Sequence, residues 1–217
     1  MAIPGKPLLI LLGTSLALLP QGGTAAELGT FRLTTYHLAI EGGAAGQTPG
    51  DWPLFGPGCR RVLALAPRAF HHALSREGSG LLRDGRLLNF LERCPCARPG
   101  HAGSRICYIE LARSAFPWGR GARLGEGFAP LRPFRSVAVD PAVIPLGTVL
   151  YVPALRGLRA PDGALLDGCL RAEDTGLAVR GHHLDLFTGL EVWARWLHDA
   201  LPTRRVTVRK GDGSCRG

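Results

Sequence analysis

The chain has 217 residues, 46% hydrophobic and 20% charged, which is the composition of one globular domain with some embellishment and is long enough to bury a sizeable core. Its formal charge of +9 permits an anionic partner, but the arginines are scattered and no run of basic and aromatic residues marks a nucleic-acid-binding protein. Beyond the first apolar run, no stretch is apolar enough to cross a membrane.

That first run sets residues 1–26 apart. Lys6 precedes the apolar segment Leu8 to Leu19, and Thr24-Ala25-Ala26 offers small residues for cleavage. The segment is short for a bilayer span, so it is expected to be a secretory signal peptide, with residues 27–217 as the mature domain. No cysteine follows it for lipid attachment, and removing Lys6 leaves 25 basic against 17 acidic residues, a charge of +8. Lys210 is then the sole lysine.

In the mature part, the β-branched and aromatic residues of Phe31 to Leu38 predict a first strand. Residues 41–58 are rich in Gly and Pro and predict a loop; Val62 to Ala66 predicts a strand. Pro67 can start a short helix with Phe70, His71 and Leu74 on one face, ending near Gly78. Asp84-Gly85 between apolar pairs predicts a hairpin over 81–90, and Cys107 to Leu111 another strand. Further strands are expected at 136–139, 148–152, 169–172, 184–187 and 205–208, with a turn at Pro161-Asp162-Gly163. Thr188 is expected to cap a helix whose apolar face carries Leu190, Val192, Trp193, Trp196 and Leu197. Many short, evenly spaced strands and few helices predict a mainly β fold built on a small closed barrel.

Six cysteines remain: Cys59, Cys94, Cys96, Cys107, Cys169 and Cys215. An even number in an exported chain points to up to three disulfides, with 15 possible pairings. The run Cys94-Pro95-Cys96 followed by Cys107 fits no common zinc spacing, so neither a metal nor any other cofactor is expected.

Three aspartates carry the candidate chemistry. Asp140 ends an apolar strand, Asp174 lies in Ala-Glu-Asp-Thr-Gly, and Asp185 is flanked by Leu184 and Leu186. An aspartate among apolar residues is costly unless paired or protonated, and burial or a second carboxylate raises its pKa. A carboxyl that keeps its proton is what a general acid needs to cleave a glycosidic bond. Asp185 is therefore the candidate acid, with Asp140 and Asp174 as neighbours that tune or orient it. Turn preference alone would explain an isolated Asp-Pro or Asp-Thr-Gly without any chemistry.

The stretch Ser136 to Gly189 resembles the 3D (three-aspartate) domain family, shared with lytic transglycosylases of the membrane-bound A (MltA-like) type. The motifs that carry the resemblance are Ala138-Val139-Asp140, Ile144-Pro145-Leu146-Gly147-Thr148, Ala172-Glu173-Asp174-Thr175-Gly176 and Gly181-His182-His183-Leu184-Asp185-Leu186-Phe187. Thr34-Thr35-Tyr36 is similar to that family's first barrel strand. The resemblance implies a six-stranded double-psi β-barrel, with residues about 41–130 as an insertion beside the cleft. It implies cleavage of the β-1,4 bond between N-acetylmuramic acid and N-acetylglucosamine with formation of a 1,6-anhydro end. Asp185 would be the acid, assisted by Asp174 and Asp140. Where the family has a second glycine after Asp-Thr-Gly, this chain has Leu177, which requires a loop that tolerates a side chain.

Candidates for contacting the sugar are Thr35, Tyr36, Glu77, Thr175, Gly176 and His183. A turn after a helix explains Glu77 equally well, and only one of the adjacent His182 and His183 can face the cleft. His71-His72 is expected on a helix surface, since neighbouring positions do not converge on a metal. Trp52 and Trp118 could stack on sugars, whereas Trp193 and Trp196 are at core spacing. The expected partner is the glycan strand of peptidoglycan in the periplasm or cell wall, met by a monomer without stable membrane insertion. The alternatives are a non-catalytic peptidoglycan-binding barrel, which would lack the acid, and an aspartic protease, which would need a second Asp-Thr-Gly or a two-fold dimer.

Overall fold

A computed structural model describes residues 26–42, 50, 52–96, 106–111, 117, 119, 130–213 and 215. The expected leader, Ala26 apart, and Trp118 lie outside these residues. Among the described residues no helix is long and apolar enough to cross a membrane.

In chain order the elements are β1 (Glu27–Tyr36), β2 (Ala39–Ile40), β3 (Trp52–Phe55), β4 (Val62–Ala66), α1 (Arg68–Glu77), β5 (Ser79–Leu81), β6 (Leu87–Arg93) and β7 (Ile106–Leu111). They continue with β8 (Ser136–Ala138), β9 (Val149–Tyr151), β10 (Cys169–Asp174), β11 (His183–Phe187), α2 (Glu191–Ala200) and β12 (Arg205–Lys210). The strands form two sheets. Six close into a barrel in the order β1-β11-β8-β10-β9-β12, and the other six form a second sheet in the order β2-β5-β6-β7-β3-β4. The fold is mainly β, built on the closed barrel expected from the strand pattern.

Within the barrel, β1 runs parallel to β11 and β8 parallel to β10, while the remaining neighbours are antiparallel. Alternate residues of each strand point inward. Phe31 and Leu33 from β1, Val137 from β8, Leu150 from β9, Leu170 and Ala172 from β10, Leu184 and Leu186 from β11, and Val206 and Val208 from β12 share one buried core. Leu197 and Leu201 plug it, and Trp193 and Trp196 pack on its edge against Phe134.

The second sheet has its own core of Leu54, Leu63, Ala66, Phe70, Leu74, Leu88, Phe90 and Tyr108, among others. α1 lies on this sheet and ends at Gly78, whose left-handed φ of 83° suits a residue without a side chain. The turn Asp84-Gly85 joins β5 to β6 as expected, with Gly85 at φ 85°.

Three details depart from the sequence expectation. Residues 52–55, expected as loop, are β3; Pro53 is accommodated because β3 meets β7 only at Phe55, so its missing N–H breaks no ladder there. His71 is buried rather than on the surface, with its ring 5.3 Å from that of Trp52. α2 starts at Glu191, three residues after Thr188, whose hydroxyl instead donates to the Tyr36 carbonyl; Val192 consequently faces solvent.

All six cysteines pair: Cys59–Cys96, Cys94–Cys107 and Cys169–Cys215. The first two lie in the second sheet, and the third ties the chain end to β10 across 46 residues. Closing a loop of that length in the unfolded chain removes entropy equivalent to about 4 kcal/mol. Replacing Cys169 and Cys215 together by alanine should therefore lower the unfolding free energy by about 4 kcal/mol, as read from guanidinium denaturation of the oxidised protein.

Candidate active site

The two sheets meet at a cleft of ≈ 340 Å³. The barrel contributes Tyr36, Leu131, Ala138, Asp174, the loop 175–179 and Asp185 to its lining. The second sheet contributes the end of α1 at Arg76, Glu77 and Gly78, together with Ser79, Asn89 and Phe90.

Strand parity explains why Asp185 reaches this cleft. Leu184 and Leu186 point into the barrel core, so the residue between them points out. The flanking leucines therefore do not enclose the carboxyl; the cleft partly dries it. The parallel register sets Thr34 of β1 opposite Asp185. Thr34 Oγ1 donates to Asp185 Oδ1 at 2.6 Å and lies 2.7 Å from His183 Nε2. Asp185, Thr34 and His183 thus form one hydrogen-bonded chain along the cleft side of two neighbouring strands.

The proton affinity of Asp185 is raised above the ordinary aspartate value, and burial is the largest cause. The Thr34 hydrogen bond and the nearby His183 and Arg32 oppose that rise, whereas the charge of Glu77 adds to it. The charge that adds to the effect of burial is that of Glu77, the last residue of α1 on the second-sheet side of the cleft. Glu77 is itself anchored: its Oε2 accepts the His37 backbone N–H at 3.1 Å and lies 3.4 Å from His37 Nδ1, while Oε1 pairs with Arg76.

Asp174 is buried and lines the same cleft. Its Oδ2 accepts the Tyr36 hydroxyl at 2.9 Å and its Oδ1 accepts the Thr175 N–H at 2.8 Å. Burial first, and then the charge of Asp174, push the Tyr36 hydroxyl well above the usual tyrosine range, so it remains a donor. Asp140 is placed differently. It does not line the cleft; its carboxylate accepts N–H groups of Gly181 at 2.8 Å and Ala142 at 3.1 Å. These bonds hold it below the ordinary aspartate value, the Gly181 bond contributing most, and fix the loop that leads into β11. Asp140 thus contacts the loop before β11 rather than the cleft itself.

Of the expected sugar contacts, Tyr36, Glu77, Thr175 and Gly176 line the cleft, and His183 reaches Asp185 through Thr34. Thr35 does not. It shares the inward parity of Phe31 and Leu33 and borders a separate depression with His37, Glu191 and Arg195. The threonine that serves the site is Thr34, a residue the same parity argument would have selected. Leu177 lines the cleft in a conformation open to side chains: the described non-glycine residues with positive φ are Cys59 and Phe134. Gly176 is restricted by space, since a Cβ there would meet Val179 at 2.6 Å.

Residues 135–196 match the family model of the 3D domain. That span includes β8 to β11, Asp140, Asp174 and Asp185. The likeness of fold extends further. Escherichia coli MltA solved with bound chitohexaose aligns at a TM-score of 0.52 and 15% identity, over 85% of this chain and 73% of that one. A membrane-bound lytic murein transglycosylase from Agrobacterium tumefaciens aligns at 0.52 and 16%, over 84% and 74%. MltA from Neisseria gonorrhoeae aligns at 0.51 and 16%, over 83% and 72%. No curated protein matches the chain in sequence. The 3D domain therefore sits within an MltA-like fold, and the likeness in architecture takes in much of the second sheet.

The Tyr36 hydroxyl is a sensitive probe of the 3D-domain half of the cleft. In Tyr36→Phe the buried Asp174 loses one of its donors, and a hydrogen bond to a charged group contributes about 2 kcal/mol. Chemical denaturation should show a loss of about that size with unchanged secondary structure.

Proposed function

We propose that this protein is an exported lytic transglycosylase that cleaves the glycan strand of peptidoglycan. The observation that carries the reading is Asp185: a carboxyl of raised proton affinity, in a cleft between two sheets, on a 3D domain. The MltA-like fold supports the same reaction class, and E. coli MltA holds an oligosaccharide, chitohexaose. Three disulfides and the apolar leader accord with a site of action beyond the cytoplasm.

The reaction follows from the groups at hand. Protonated Asp185 delivers its proton to the oxygen linking N-acetylmuramic acid to N-acetylglucosamine, and the bond from C1 to that oxygen breaks. Positive charge grows at C1, facing carboxylates of Asp174 and Glu77 that are already oriented by Tyr36, the Thr175 N–H and His37. The C6 hydroxyl of the same sugar attacks C1, and the Asp185 carboxylate takes the hydroxyl proton. A C1–O6 bond replaces the bond to the leaving sugar, the acid is regenerated and no water is consumed. Because the nucleophile is within the substrate, the two-carboxylate arrangement that activates water in a hydrolase is unnecessary.

Two measurements test this. Purified peptidoglycan digested with the wild-type protein should yield 1,6-anhydromuropeptides by mass spectrometry. Asp185→Asn should reduce their rate of formation about a thousandfold. Reducing ends would instead identify a hydrolase, and bound but undigested sacculi a binding module. The second measurement is the pH profile. An acid of raised pKa stays active to higher pH and loses activity as pH climbs through its folded value. Removing the negative charge of Glu77 lowers that value, so Glu77→Gln should move the alkaline limb toward lower pH. A limb that stays in place would refute the electrostatic role of Glu77.

A further inference from the structure

Four cysteine sulfurs converge in the second sheet. Cys59 comes from the turn after β3, Cys94 and Cys96 from the segment following β6, and Cys107 from β7. Their Sγ atoms all lie within 4.8 Å of one another. Between the two disulfides, the Sγ atoms of Cys94 and Cys96 stand 2.9 Å apart and those of Cys96 and Cys107 3.4 Å. The ligand spacing along the chain conceals the cluster, because its fourth member, Cys59, lies 37 residues before Cys96.

We propose that this cluster is a redox-convertible zinc site: two disulfides when oxidised, one tetrahedral zinc centre with four cysteine ligands when reduced. Four thiolates at a Zn–S distance of about 2.3 Å form a tetrahedron with edges of about 3.8 Å, inside the observed 4.8 Å envelope. A set of four sulfurs selects a soft cation such as Zn²⁺ over Mg²⁺ or Ca²⁺. The surroundings suit a structural site, since Cys94 and Cys107 are buried while Cys59 and Cys96 are half-buried and open to exchange.

The conversion balances with a dithiol as reductant. One dithiol reduces Cys59–Cys96, becoming a disulfide itself and leaving two thiols. The Cys96 thiolate then attacks Cys107 Sγ, forming Cys96–Cys107 and releasing Cys94 as a thiolate, so the buried pair opens without direct access by the reductant. A second dithiol reduces this new pair. Zinc then binds four thiolates, displacing four protons. Reoxidation passes four electrons to two disulfide acceptors, two to each, and releases the ion. In either state β6, β7 and the turn after β3 stay tied together.

The test uses the mature protein reduced with a phosphine under anaerobic conditions. One equivalent of Co²⁺ should give the intense visible bands and thiolate charge-transfer absorption of a tetrahedral sulfur site, and Zn²⁺ should displace it. Alkylation mapped by mass spectrometry then identifies the ligands in the wild-type chain. With Zn²⁺ present, Cys59, Cys94, Cys96 and Cys107 should react at least about tenfold more slowly, while Cys169 and Cys215 react as before. Replacing Cys169 and Cys215 by serine should leave the cobalt spectrum intact. Equal labelling of all six cysteines, protection of any other set, or absence of thiolate-to-cobalt absorption would overturn the proposal. None of these readouts depends on glycan cleavage.

Discussion

The site depends on the parallel pairing of β1 with β11, which sets Thr34 against Asp185. With side chains alternating along both strands, this register sends Phe31, Leu33, Leu184 and Leu186 into the barrel core and turns Thr34 and Asp185 outward, Asp185 reaching the cleft. A slip of one residue would bury the carboxylate among leucines and put a leucine in the cleft. Core packing and acid placement are thus specified by one pattern. The hydrophobic free energy that closes the barrel also aims the Asp185 carboxyl, and no separate device is required to hold it out.

The barrel supplies only half of the cleft. Asp185 and its hydrogen-bonded chain belong to β1 and β11, and Asp140 bonds the loop that leads into β11. The opposite wall comes from α1 and strands β5 and β6 of the second sheet. His37, in the link leaving the barrel after β1, grips Glu77 through both its backbone N–H and its ring. The junction between the sheets is therefore also the anchor of the charge that faces Asp185.

Much of this is legible in the sequence. The strands after residue 130 announce themselves through β-branched runs separated by Gly and Pro, and the barrel follows from their number and spacing. Asp185 is legible as a candidate because its motif is specific in combination. The reason for its perturbed proton affinity is not. Neighbours in sequence such as Leu184 and Leu186 point to the other face of a strand, and the desolvating walls come from residues far along the chain. Likewise Glu77, 108 positions before Asp185, is coupled to it only through tertiary structure. Choosing Thr35 over Thr34 is an error of parity, avoidable from Phe31 and Leu33 alone. The strand at Trp52 to Phe55 is hidden by Pro53, whose missing donor matters only where a ladder bond is needed.

The termination of α1 at Gly78 has a consequence for ligand preference. The last carbonyl groups of a helix carry partial negative charge, and here they end at the lining of the cleft, beside the carboxylate of Glu77. The helix-end carbonyls and Glu77 thus add negative potential to the wall facing Asp185, partly offset by Arg76, which lines the cleft and pairs with Glu77, in a molecule whose overall charge is strongly positive. A field of negative sign there disfavours an anionic group inside the cleft and favours positive charge developing beside Asp185.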